Sequence, residues 1–158
     1  MARRGSGLFS VGTLLASFFG AGMIAIAFAY FNYKFQEYKF IDFSKWLVYE
    51  KGQIFVPEEE RYLVVFYSSK KAGTVKNLNK LHPKYKILAI DYYQQDFPSN
   101  NKVTYVRSGT NTILSIVQRF NIYKTPSVFI IKKVKEGLYK QDSIIAELDT
   151  INDIPDEL

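Results

Sequence analysis

Phe120 to Ile131 reads FNIYKTPSVFII, and the reading of this stretch decides the fold. Its first residues close an amphipathic helix. Its last are β-branched and aromatic and follow a proline, which has no N–H to give to a ladder and so belongs at a strand start. Upstream, Thr110 to Phe120 places Ile113, Leu114, Ile116, Val117 and Phe120 at helical spacing, predicting a helix that buries those five side chains. Downstream, Pro126 to Val134 is predicted as a strand that turns at Glu136-Gly137 into a last strand, Leu138 to Leu148.

Working further outward, Arg61 to Ser69 (RYLVVFYSS) and Tyr85 to Tyr92 (YKILAIDY) read as fully buried strands. Between them Val75, Leu78 and Leu81 recur at helical spacing within Lys71 to Leu81, and His82-Pro83 closes that helix. Strand, helix and strand at this spacing imply a right-handed crossover and parallel pairing. Gln94 to Gly109 is a polar excursion with an edge strand at Val103 to Val106. The order β-α-β-α-β-β predicts an α/β sandwich, a central mixed sheet with flanking helices.

Those segments together, LVVFYSS with its helix, YKILAIDY, and above all RFNIYKTPSVFII, resemble the thioredoxin fold over residues 60–148. The resemblance implies that the Thr125-Pro126 bond is cis, a geometry nearly confined to proline. It also implies that Lys71, Ala72, Gly73 and Thr74 stand where the family carries its redox C-x-x-C motif, and Val65 where it carries a buried acid. An amine, a methyl, a hydrogen and a hydroxyl cannot exchange disulfides, and the chain has no cysteine at all. A redox-inactive member is therefore expected. Relatives hold an extended peptide by backbone pairing with the residue before the proline, so Lys71, Ala72, Gly73, Thr74, Thr125 and Pro126 are the candidate partner or peptide site. The alternative is that the proline only shapes the core. A Thr74–Lys71 nucleophile pair is set aside, because two such residues at a helix start are too common to signal chemistry.

At the other end, Leu8 to Phe31 runs without a charge, and a helix of that length spans about 36 Å against a hydrocarbon core of about 30 Å. A single such run must be helical in lipid. Ala25, Ala27 and Ala29 offer signal-cleavage patterns, but the run exceeds the usual apolar region of a signal, so an uncleaved span at 8–32 is expected. Arg3 and Arg4 precede it, which predicts a cytoplasmic segment 1–7 and a C-terminal domain on the far side. Gly12, Ala16 and Gly20 share one face suited to helix packing, as do Ala21, Ala25 and Ala29. Tyr30, Phe31, Tyr33 and Trp46 are expected at the membrane interface. Phe31, Phe35 and Tyr38 form a stripe that extends the helix as a stalk, so residues 33–59 are predicted as a juxtamembrane stalk or linker.

Charge divides the chain. From Tyr33 to Ala146 there are 19 Lys/Arg against 10 Asp/Glu, whereas Glu147 to Leu158 holds five acids and no base, so 149–158 is predicted as an acidic tail. Lys70, Lys71, Lys76, Lys80, Lys84 and Lys86 suit anionic headgroups or an acidic partner, or simply a solvated face. Neither a nucleic-acid-reading motif nor a metal-ligand spacing accompanies the lone His82.

Together these observations predict no enzyme, no cofactor and no small-molecule substrate. They point to a single-pass subunit acting as scaffold or adaptor in a multiprotein cell-envelope assembly of secretion, motility or respiratory type, with the bilayer and other envelope proteins as partners. A membrane-tethered peptide-binding or chaperone-like module for envelope protein or cytochrome maturation is the alternative. Abundant Lys, Asn, Ile, Tyr and Phe suit an AT-rich bacterial genome, hence an inner-membrane anchor and a periplasmic domain. The terminal Pro-Asp-Glu-Leu is similar to an endoplasmic reticulum retrieval signal apart from its first letter, which carries the alternative of a lumenal domain.

Overall fold

The computed structural model describes residues 10–37 and 40–155, in two compact units divided between Tyr38 and Lys39. The predicted cytoplasmic segment 1–7, the start of the predicted span, the Phe35 side chain and Tyr38 of the aromatic stripe, and the last three residues of the tail lie outside what is described.

The first unit is one helix, α1 (Val11–Glu37). Ser10 caps it: its hydroxyl accepts from the Thr13 amide at 3.1 Å, satisfying one of the orphan donors of the first turn. Ser17 returns its hydroxyl to the Thr13 carbonyl at 2.9 Å, so these polar side chains are satisfied within the helix. Val11–Lys34 is long and apolar enough to cross a membrane, and none of it is buried inside the protein. The helix continues past that stretch to Glu37, as the stalk reading required of its first residues.

The second unit is a mixed α/β domain. Its strands are β1 (Phe40–Asp42), β2 (Val48–Glu50), β3 (Gln53–Ile54), β4 (Arg61–Tyr67), β5 (Lys86–Asp91), β6 (Val103–Ser108), β7 (Ser127–Lys135), β8 (Leu138–Gln141) and β9 (Ala146–Glu147). They are ordered β1-β8-β7-β4-β5-β6-β2-β3, with β9 added beside β7. β4, β5 and β6 are parallel, and β7 runs antiparallel to β4. The predicted crossover and parallel pairing are present. The strand expected at the edge, β6, is instead covered by β2.

Strand periodicity distributes β4 between two cores. Tyr62, Val64 and Phe66 join Leu88, Ile90, Phe129 and Ile131 under α3 (Thr110–Arg119). Leu63, Val65 and Tyr67 join Ile87, Ala89, Val128 and Ile130 under α2 (Thr74–Leu78). On α3, Ile113, Ile116 and Phe120 are buried and Val117 partly so, but Leu114, expected inside, is 49% exposed. It sits about 100° around the helix from Ile113, at the border of the stripe.

Several expectations are corrected. The helix predicted over Lys71 to Leu81 is short: Gly73, with φ of 79°, precedes its first residue, and after Leu78 the chain tightens into turns to Lys80 and Leu81. The stretch 33–59 is no linker from Phe40 onward. β1 pairs with β8 and β2 with β6, so it supplies both outer parts of the sheet. Phe43 meets Phe55 and Tyr139 edge-on at 5.8 and 5.5 Å, contacts worth about 0.5–1.5 kcal/mol each. Trp46, expected at the membrane interface, packs partly buried against that core with the Arg119 guanidinium 4.6 Å from its ring. Finally, Leu138 to Leu148 breaks after Gln141. The Ser143 hydroxyl accepts from the Ile130 amide at 2.8 Å where a ladder bond would stand, and the chain rejoins β7 only at Ala146.

The acidic tail is likewise partly structure. Ile151–Asp153 is a 3₁₀ turn closed by a Thr150–Asp153 capping box, and it buries Ile151 and Ile154 in the core under α2.

Candidate functional site

Parallel β4 and β5 end, and β7 begins, at one end of the sheet, the end where α/β sheets open their binding crevices. The loops there are held by Asp91. It is only 1% exposed, and its two oxygens accept from the Ser69 amide at 2.8 Å and the Gln95 amide at 2.9 Å. With both oxygens engaged it braces the two loops against each other. Its charge, after burial itself, is the next cause of the upward shift of the Tyr67 phenol.

The Thr125–Pro126 peptide is cis, as expected. The Lys71 ammonium reaches across and donates to the Thr125 carbonyl at 2.6 Å. Pro126 is buried, and its carbonyl accepts from the Leu148 amide at 2.9 Å. Ser127 and Val128 pair with Glu147 and Ala146. Lys124 forms an ion pair with Asp149, whose hydrogen bond and charge hold that carboxyl below the usual carboxylate range and raise the lysine. Three of the four residues of the Lys71–Thr74 loop therefore meet Pro126, around a cavity of about 170 Å³ that Asn77 and residues Asp149 to Asn152 complete. Gly73 stands outside the lining. Lys71 donates its ammonium to a carbonyl and Thr74 is buried at the start of α2.

On the other side of Thr125 lies a larger cleft of about 420 Å³. Phe66, Val117 and Ile122 give it apolar walls, Ser68, Lys124 and Thr125 polar ones, and Tyr92, Tyr93 and Tyr123 aromatic ones. Tyr92 stands edge-on to Phe66 at 6.2 Å and to Tyr93 at 5.2 Å, and the Lys70 ammonium sits 4.0 Å from the Tyr93 ring centre. Tyr123, 84% exposed, also borders an open groove of about 440 Å³ lined by Arg119, Phe120, Gln141, Ile144, Ile145 and Glu147. Ile144 in that groove is 86% exposed, carried outward by the break after β8. None of these tyrosines was singled out from the sequence. The signal available was their place in otherwise polar connections, next to the TP dipeptide and just past a buried strand.

On α1, Gly12, Ala16 and Gly20 are exposed, with nothing within 4 Å of a Cβ at Gly20 and only the Ser10 hydroxyl, at 3.7 Å, near one at Gly12. Tyr30, Phe31 and Tyr33 are exposed toward its C-terminal end. Among the described residues no cluster of three or more His, Asp or Glu side chains is placed to hold a metal ion.

No protein-family model matches the chain, and no curated protein or solved structure matches it.

Proposed function

We propose that this chain is a non-enzymatic, single-pass membrane subunit whose redox-inactive, thioredoxin-like domain docks other proteins of a cell-envelope assembly. In this reading the amino terminus is cytoplasmic and the domain periplasmic. The observation that carries it is a pair of exposed apolar side chains, Tyr123, which borders both open grooves, and Ile144, which lines the second, on a domain tethered to a membrane-length helix. Exposed aromatic and aliphatic anchors beside ready-made clefts are what protein interfaces use, and Lys70 on the rim favours a partner that brings carboxylates beside its apolar side chains. The thioredoxin-like assignment is supported by strand order around β4, β5 and β7.

Capture of extended client peptides at Thr125 is the weaker reading. The carbonyl that such a peptide would pair with already accepts from Lys71, and the adjoining edge at Ser127 and Val128 carries β9. Isolation of the full chain in mild detergent separates the two. A fixed, stoichiometric set of neighbours that is lost on Tyr123→Ala with Ile144→Asp supports the subunit. A heterogeneous set of clients indifferent to those substitutions overturns it.

A further inference from the structure

The far end of the sheet, where parallel β5 and β6 begin, carries a different surface. From Leu78 to Ile90 the chain has three lysines, Lys80, Lys84 and Lys86, and not one Asp or Glu. Lys80, His82, Lys84 and Lys86 lie on the segment that leads from α2 into β5, and Lys102 on the loop entering β6. These two loops are fastened together. Lys102 Nζ lies 2.7 Å from His82 Nδ1, Asn100 Nδ2 donates to Asn79 Oδ1 at 2.9 Å, and the Tyr105 hydroxyl donates to the same oxygen at 2.9 Å. Lys80, His82, Lys84 and Lys102 are exposed. The acids that enter this end, Glu58, Glu59 and Glu60, precede β4, where Arg61 also stands. Arg61 is turned to Asp142 at 3.3 Å and to the Tyr85 hydroxyl at 3.2 Å. The β5–β6 half is thus a lysine surface held in one piece.

We propose that Lys80, Lys84, Lys86 and Lys102 dock this end of the domain on anionic phospholipid headgroups. The inference rests on α1 being a membrane anchor but not on which proteins the domain binds. Lysine is a compact charge on a flexible stem, suited to mobile headgroup phosphates, whereas fixed oxyanion recognition favours the guanidinium fork, which this surface lacks. A bilayer is also the one polyanion that the tether keeps permanently within reach, and tethering turns a weak attraction into an intramolecular one.

The test uses the full chain in nanodiscs of phosphatidylcholine, with or without about 30% phosphatidylglycerol, and amine-reactive footprinting read by mass spectrometry. Labelling of Lys80, Lys84 and Lys102 is expected to fall about fivefold in the anionic discs and to recover at about 0.5 M salt. Lys70 and Lys71, at the opposite end, keep their labelling. In Lys80→Glu with Lys84→Glu and Lys102→Glu, all on exposed positions, Lys86 loses its protection. Equal labelling in the two lipid compositions overturns the proposal. So does protection by added polyglutamate without protection by phosphatidylglycerol, which assigns the surface to an acidic protein. A chain that stays outside the discs overturns the anchor reading and the proposal together.

Discussion

The ammonium of Lys71 and the carbonyl of Thr125, 54 residues apart in sequence, are joined by a 2.6 Å hydrogen bond that closes the loop after β4 onto the cis-proline corner. A charged donor thus occupies the acceptor that an incoming strand would need.

Replacing that lysine should matter little to the fold. Lys71 is exposed, so Lys71→Met is expected to cost about 1 kcal/mol or less. The fluorescence of Trp46, the single tryptophan, reports the urea midpoint. Partner yield should stay at the wild-type level, and a new, heterogeneous set of bound proteins in this variant would show instead that the lysine guards a peptide groove.

The Lys124–Asp149 pair predicts a pH signature. The folded Asp149 carboxyl lies below its ordinary value, so its contribution is fully present above the unfolded pKa of about 3.9 and is lost as pH falls through the folded one. Lys124 is raised, so its share is complete below about 10.4 and is lost as pH rises beyond that. A carboxyl-detected NMR titration of the full chain should find Asp149 below free aspartate and returning toward it in Lys124→Ala. Both side chains are solvent-exposed, so added salt should shrink the effect.

The tail predicts a large stability effect from a small change. Ile151 is buried beneath α2, and Ile151→Ala should cost about 2–5 kcal/mol, read from the urea midpoint. The neighbouring Asn152 is exposed, so Asn152→Ala supplies the control and should leave the midpoint close to that of the wild type.

How much of this was legible follows from how each part is held. β4, β5 and β7 are buried on both faces, so their β-branched runs declared themselves, and Thr125-Pro126 marked the corner. Residues 40–55 misled because their strands are two or three residues long, too short for a period, and because Trp46 read as an interface aromatic. Pairing across a hundred residues, as of Phe40 with Lys140, leaves no local trace. At the site, Lys71, Ala72 and Thr74 stand beside Pro126, where the sequence reading put them. Tyr92, Tyr93 and Tyr123 were missed because their convergence depends on where two separate connections, β5 to β6 and α3 to β7, meet.

The membrane-length helix α1 has its own prediction. Replacing Val11–Lys34 by leucines of equal number should leave the chain membrane-bound, while association with membrane partners falls severalfold if the Gly12, Ala16 and Gly20 face packs a neighbouring helix. Unchanged association would make α1 a tether alone.

The most direct test of the docking account is a photo-crosslinking residue placed at Ile144 in the full chain, irradiated in native membranes. The account predicts one adduct of defined mass, abolished by Tyr123→Ala on the same chain. An absence of adduct, or a ladder of many masses insensitive to Tyr123, would contradict it.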